Sequence, residues 1–319
     1  MQSRPSNLFA WLALVFALLG VGIAKVSSDP GLLLRIATEQ ERGAANLAER
    51  TTTWEDHAIT YLEGGDPDGE PVLLIHGFAA DKDNWTRFSK YLARKGYRVI
   101  APDLPGHGQS SKISTHRYSI ANQVAFVEAF RQELDLGPVH LAGNSMGGQI
   151  SARYAAEYPD RVRTLGLLNP GGVTSPIPSE RQQVILETGV NPLLVTSVAD
   201  FDRLLAFVFV EPPRLPGVVK RYFADRAVEN RPFNELIWSH INGEAFEPLE
   251  PHLGRIHAPT LVLWGDTDRV LHPSGAQVFV DGIPNSRFIL MSAMGHVPMI
   301  ERPGDTAAHY FRFLDEAER

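Results

Sequence analysis

Three side chains scattered along 319 residues have the types that acyl transfer to a hydroxyl requires: Ser145, Asp268 and His296. A serine attacks a carbonyl when a base takes its proton, a carboxylate fixes the tautomer of that base and steadies its cation, and amide donors meet the oxyanion. Ser145 is the centre of Gly143-Asn144-Ser145-Met146-Gly147, with the apolar run 138–142 before it and the helix-like stretch 149–158 after it. A strand that turns sharply into a helix at G-x-S-x-G lifts the central hydroxyl above the sheet edge, and residues without a β-carbon tolerate the crowding two positions to either side. Glycine and serine are ordinary loop residues, so the pattern takes its meaning from the flanking strand and helix.

The partners of such a serine must come from loops at the same strand ends of a parallel sheet. His296 lies five residues past Met291, where the final strand is expected to stop, and Asp268 lies four past Trp264. The chain order is therefore Ser, Asp, His. Asp266 shares the loop with Asp268 and is the competing acid. His272 is close by, but a base there would leave the end of the final strand without a role, so it reads as a surface histidine.

These residues need a sheet to hold them. A short unbroken apolar run at 71–75 and mostly apolar strand-like runs at 97–101, 138–142, 162–168, 259–264 and 286–291 alternate with helical stretches at 85–95, 119–136, 149–158, 274–280 and 305–317. That rhythm predicts an α/β fold, a mostly parallel sheet covered on both faces. Residues 51–62, followed by the turn cluster 64–69, suggest an opening hairpin. The rhythm stops between 173 and 253, where Pro176, Pro178, Pro192, Pro212, Pro213, Pro216 and Pro232 are expected to cut the chain into short helices. An insertion of that length is too long for a plain loop, so 173–253 reads as a helical cap over 51–172 and 254–319.

The first 28 residues contain an uncharged run, 8–24, between Arg4 and Lys25. At 1.5 Å per residue it reaches roughly 25 Å, at the short end of a transmembrane helix and long for a signal peptide; both are live, with a retained anchor preferred. Residues 29–50 then show helical spacing of Leu33, Ile36, Ala37, Gln40, Ala44 and Leu47, an amphipathic juxtamembrane helix that could lie on lipid, on the body or on a second copy as a homodimer. The flanking charges specify the facing side poorly. The formal net charge of -7, without a basic block interleaved with aromatics, excludes the electrostatic footprint of a nucleic-acid partner. Cysteine is absent, which rules out disulfides, thiolate metal sites and a Cys nucleophile, and the 11 histidines show no metal-ligand spacing. No cofactor or metal is expected.

Over 51–314 the chain resembles the α/β-hydrolase superfamily, through His76-Gly77-Phe78, through Gly143-Asn144-Ser145-Met146-Gly147-Gly148, and through Trp264-Gly265-Asp266-Thr267-Asp268-Arg269-Val270 with Gly295-His296-Val297-Pro298. Within it the membrane-anchored monoacylglycerol lipase and (lyso)phospholipase branch, ABHD6-like enzymes and bacterial membrane phospholipases A, is most similar, because it joins an N-terminal anchor to Ser145-Met146-Gly147-Gly148-Gln149 and to Val270-Leu271. The resemblance implies a serine carboxylester hydrolase of membrane-derived lipid esters. It implies Ser145, Asp268 and His296 as a triad, favours Asp268 over Asp266, and implies the backbone N–H groups of Phe78 and Met146 as the oxyanion hole. It implies supporting roles for His76 beside the oxyanion loop and for Asp103 and His107 in the Gly106–Gly108 turn. It implies a membrane location, in a bacterium the inner membrane with a periplasmic body. The alternative is a meta-cleavage-product-type C–C bond hydrolase, similar at the elbow and at Asn169-Pro170-Gly171-Gly172; such enzymes carry an aromatic residue after the base, where this chain has Val297 and Pro298. A receptor or scaffold on the same fold is a third reading, which an intact triad disfavours. Serine at 145 excludes relatives that need a carboxylate nucleophile there.

Overall fold

The computed structural model describes residues 30–317 and 319; the candidate anchor 8–24 lies outside them. Among the described residues no helix is long and apolar enough to cross a membrane. Eight strands, β1 (Leu47–Trp54), β2 (His57–Gly65), β3 (Pro71–Ile75), β4 (Arg98–Pro102), β5 (Val139–Asn144), β6 (Val162–Leu168), β7 (Thr260–Gly265) and β8 (Ser286–Met291), form one sheet in the order β1-β2-β4-β3-β5-β6-β7-β8. β1 pairs antiparallel with β2 and β2 with β4, while every pairing from β4 to β8 is parallel.

The central strands are apolar throughout because both faces are covered. Leu73 and Ile75 of β3 and Val139 and Leu141 of β5 pack into a core with Phe126, Phe130, Ile150 and Phe279 from the helices Ile120–Glu133, Met146–Glu157 and Gly275–Gly282. Val72 and Leu74 of β3 and Ala142 of β5 point the other way, onto Phe88, Leu92, Tyr310 and Phe313 of the helices Thr86–Arg94 and Pro303–Ala317. The two-residue period of a strand thus feeds two cores at once. The chain runs from β3 outward to β4, then returns past β3 to β5, so the C-terminal ends of β3 and β5 flank a topological switch point, where open α/β sheets form a crevice.

Three expectations need correction. The juxtamembrane helix spans Pro30–Ala44 rather than 29–50: Asn46 turns to a positive φ of 55°, and Leu47 is buried in β1 opposite Gly64. The hairpin accordingly begins earlier, and its turn is Glu55-Asp56, both at positive φ, the pattern of a two-residue I′ connection. The cluster 64–69 instead links β2 to β3. Prolines also do not cut the insertion uniformly. Its helices are Glu180–Thr188, Val198–Val208, Gly217–Ile241 and the short Glu250–Leu253, and the 25-residue Gly217–Ile241 runs through Pro232. A proline inside a helix costs about 3 kcal/mol; here Ile237 and Ile241 bury completely or nearly so in the main core, with Phe233 and Leu236 packed against it, and that burial offsets the lost hydrogen bond.

The helix Pro30–Ala44 lies on the body. Arg42 donates from Nε and Nη2 to the two carboxylate oxygens of Asp83, each at 2.7 Å, and Arg87 pairs with Glu41 at 2.7 Å. The same helix packs against Gly217–Ile241 of the insertion.

Candidate active site

β5 is buried along its whole length and delivers Ser145, which is half-exposed, to the sheet edge. Ser145 sits at φ 57°, ψ -120°, outside the regions a residue with a β-carbon prefers. The backbone around it is fixed: Ser145 N–H donates to Leu168 O at 3.2 Å, and Gly171 N–H and Gln149 N–H donate to Ser145 O at 2.9 and 3.1 Å. The glycines are steric requirements. A β-carbon on Gly143 would lie 2.2 Å from Gly147 O, and one on Gly147 would lie 2.2 Å from Ile75 O. The loop leaving β3 touches the elbow, since a β-carbon on Gly77 would stand 3.1 Å from that of Ser145. No acceptor for the Phe78 or Met146 amide occurs among the described residues.

His296, beyond β8, is buried and held from three directions. Its N–H donates to Val208 O at 2.8 Å, its carbonyl accepts from Asn144 Nδ2 at 3.0 Å, and its Nδ1 meets Asp268 Oδ2 at 2.8 Å. Asp268 accepts only, so Nδ1 carries the hydrogen and Nε2 of the neutral ring is left as the basic atom. Asp268 is buried with four donors: Val270 N and Leu271 N on Oδ1 at 2.8 and 3.1 Å, and Asn169 Nδ2 and His296 Nδ1 on Oδ2 at 2.7 and 2.8 Å. Asp266, by contrast, is exposed and spends its carboxylate on Thr267 and Met294 N. His272 bonds to Ser274 on its own loop and touches none of these groups.

Sequence reasoning missed three supporting side chains. Asn169 ends β6 at a positive φ of 46° and aims its amide at Asp268 and at Gly295 O. Asn144, the residue before Ser145, ties the elbow to the His296 loop. Glu301 accepts Gly295 N–H on one oxygen and Val210 and Glu211 N–H on the other, clamping the insertion to that loop. A polar amide at the C-terminal end of a buried strand is the signal that marks both asparagines. Replacing Asn169 by alanine removes one of the four donors to Asp268, and hydrogen bonds to charged groups contribute about 1.5–3 kcal/mol. We expect kcat for ester hydrolysis to fall about tenfold or more with KM nearly unchanged, as steady-state kinetics would show.

His76 is fully buried between the loop leaving β3 and the β4 exit. Leu104 N–H donates to its Nε2 at 3.0 Å, so its Nδ1 donates to Gly77 O at 2.8 Å. Burial lowers it to about 4, with the Lys82 charge adding to the effect, and His107 beside it, donating to Pro105 O, is lowered to about 3 by burial and by His76. Asp103 accepts from Lys82 N, Lys82 Nζ and Gln109 N, and a β-carbon on Gly108 would strike its carboxyl at 2.3 Å.

Both imidazoles have folded pKa values below the ordinary 6.5, so between 6.5 and about 4 the unfolded chain binds more protons and stability drops as pH falls. Asp81 acts oppositely: burial and the Asp103 and Asp83 carboxylates push it up to about 7, so it favours the folded state as pH falls through that range. Among these three groups the histidines outweigh the carboxyl by about one proton, about 1.4 kcal/mol per pH unit near pH 5, and His116, His252 and His309, also lowered by burial, act in the same direction. Urea unfolding at a series of pH values should show stability dropping as pH falls below 6.5, and Asp81→Asn should steepen that drop by about one further proton.

The α/β hydrolase fold family model matches residues 70–303. The chain is 36% identical over 311 residues to Lipase 3 of Moraxella sp. (strain TA144), covering 95% of this chain and 96% of that one. It is 30% identical over 295 residues to the monoacylglycerol lipase ABHD6 of Homo sapiens, covering 89% and 87% respectively. Among solved structures, the crystal structure of a membrane phospholipase A, a bacterial virulence factor, superposes with a TM-score of 0.89 at 42% identity over 98% of this chain and 100% of that one. With its sheet order, its strained serine elbow and these likenesses, the chain belongs to the α/β-hydrolase family and is a carboxylic ester hydrolase.

Proposed function

We propose that the protein hydrolyses acyl esters of membrane-derived lipids through Ser145, His296 and Asp268. The observation that carries this reading is the Asp268–His296 pair at 2.8 Å, held through the His296 carbonyl by the side chain of Asn144, the residue that precedes Ser145. His296 Nε2 takes the Ser145 proton as Oγ attacks the ester carbonyl. The tetrahedral oxyanion forms against the amides of Phe78 and Met146, each worth about 3 kcal/mol in the transition state. His296 then protonates the departing alcohol, and water repeats the sequence on the acyl-enzyme. Residues 173–253 act as the lid. The relatives at 30% identity or more are named lipases, which favours an ester over the C–C bond reading.

Monoacylglycerols, lysophospholipids and phospholipids are the substrate class, and the run 8–24 is the anchor that confines the enzyme to the surface where they concentrate. The full-length protein in lipid vesicles should label with a fluorophosphonate at Ser145 and release free fatty acid. Absence of labelling in protein that unfolds cooperatively would overturn the triad; labelling with cleavage of a vinylogous diketone and no fatty-acid release would favour the C–C bond hydrolase.

A further inference from the structure

Arg181 is the first-turn residue of the helix Glu180–Thr188 and folds back over the rim of the site rather than out to solvent. Its N–H donates to Arg269 O at 3.0 Å and its Nε to Val270 O at 3.1 Å, in the segment whose next amides hold Asp268. Its guanidinium lies 5.2 Å from the Trp238 ring centroid, and Trp238 meets the ring of Phe78, on the loop that touches Ser145, at 5.3 Å. A β-carbon placed on Gly171 would stand 3.5 Å from Ser145 O and 3.8 Å from the adjoining Leu271 side chain, so the two line the same narrow space. Arg181 therefore sits one aromatic ring away from the oxyanion loop.

Among the described residues no carboxylate forms an ion pair with it. Glu180, its neighbour, is taken by Arg269, which contacts it from Nε and Nη2 at 2.6 and 2.5 Å. Asp268 already accepts four hydrogen bonds from other groups. Among the described residues the two terminal nitrogens of Arg181 have no acceptor, and burial pulls its guanidinium below the usual arginine range, with Asp268 as the compensating charge. Arg42 and Arg131, the buried arginines among the described residues, are each matched by carboxylates, whereas the half-buried Arg181 is not. An arginine stacked on tryptophan with its fork free is built to receive a second oxyanion bidentately.

We propose that Arg181 forms a head-group subsite that takes the phosphate of a phospholipid or lysophospholipid whose acyl ester is presented to Ser145. The proposal rests on the lipid-ester reading above and narrows it. Trp238 and Phe78 supply an apolar wall between the phosphate and the ester, and Arg181 contributes to binding rather than to bond breaking.

The test compares wild type, Arg181→Gln and Arg181→Lys of the full chain in mixed micelles, on an acyl lysophosphatidylglycerol and on the matching monoacylglycerol. The ratio of kcat/KM for the phosphorylated over the neutral lipid should fall about tenfold in Arg181→Gln, through KM, and recover only in part in Arg181→Lys, which keeps the charge but neither the bidentate fork nor the stacking. An unchanged ratio, or equal losses on both lipids as expected of a lid clamp, would overturn the subsite. Inorganic phosphate should compete weakly in the monoacylglycerol assay; strong competition with an unchanged ratio would identify a free-phosphate site and overturn it too. Failure of the wild type to cleave either lipid would instead sink the lipid-ester reading on which the subsite depends.

Discussion

Replacing Ser145 by alanine is expected to lower kcat for ester hydrolysis by about six orders of magnitude, to the residual level that oxyanion donors and substrate binding would sustain alone. The protein remains folded, because the elbow is held by main-chain bonds from Ser145 N–H and to Ser145 O that alanine keeps. Glycine at the same position makes a sharper test. At φ 57°, ψ -120° a β-carbon is under strain of about 1–3 kcal/mol, which glycine relieves. Ser145→Gly should therefore be as inactive as Ser145→Ala and yet melt at a higher temperature. Equal melting temperatures would mean that the elbow is relaxed; activity near wild type in either variant would remove Ser145 from the mechanism.

The second large effect is expected from Asp268→Asn, and its size follows from how the four donors are arranged. An amide has one acceptor oxygen, whereas Val270 N, Leu271 N, Asn169 Nδ2 and His296 Nδ1 approach the carboxylate from two sides. The two main-chain amides cannot rotate, so the oxygen turns to them and the NH2 faces His296. Nδ1 must then accept, the ring hydrogen moves to Nε2, and the base points a proton at Ser145 instead of a lone pair. A wrong tautomer of this kind costs about 10⁴-fold in kcat. Asn169→Ala, which keeps the tautomer, should lose far less. Similar losses in the two variants would show that Asp268 acts through packing rather than through the hydrogen on Nδ1.

The reach of sequence reasoning differs by residue for physical reasons. Ser145 was legible because its constraints are local: a β-carbon on Gly143 or Gly147 collides with backbone only a few residues off in the elbow or on the adjacent strand. β6 and β8 have the bounds expected from their mostly apolar runs: β6 is buried at nearly every position, and β8, although it is the edge strand and exposes Phe288 and Leu290, keeps the same kind of run. The end of the N-terminal helix was misplaced because Leu47 fits a helical period as well as it fits a strand. What decides the matter is its pairing with Gly64, seventeen positions away. Pro232 misled for the same reason, since the burial that sustains a helix through it is supplied by distant core residues.

By itself the sequence determined the parallel sheet, the elbow, and a serine, two candidate aspartates and a histidine at strand ends, because each follows from steric and periodic rules acting over a few residues. Only the tertiary structure decided that Asp268 rather than Asp266 meets His296, that Asn144 and Asn169 brace the pair, and that Arg181 lies unpaired beside Trp238 and Phe78. Those outcomes depend on how far each loop reaches across the strand ends and on which charges have already found partners. Both are settled by contacts between residues tens to more than a hundred positions apart, and such contacts leave no periodic trace along the chain.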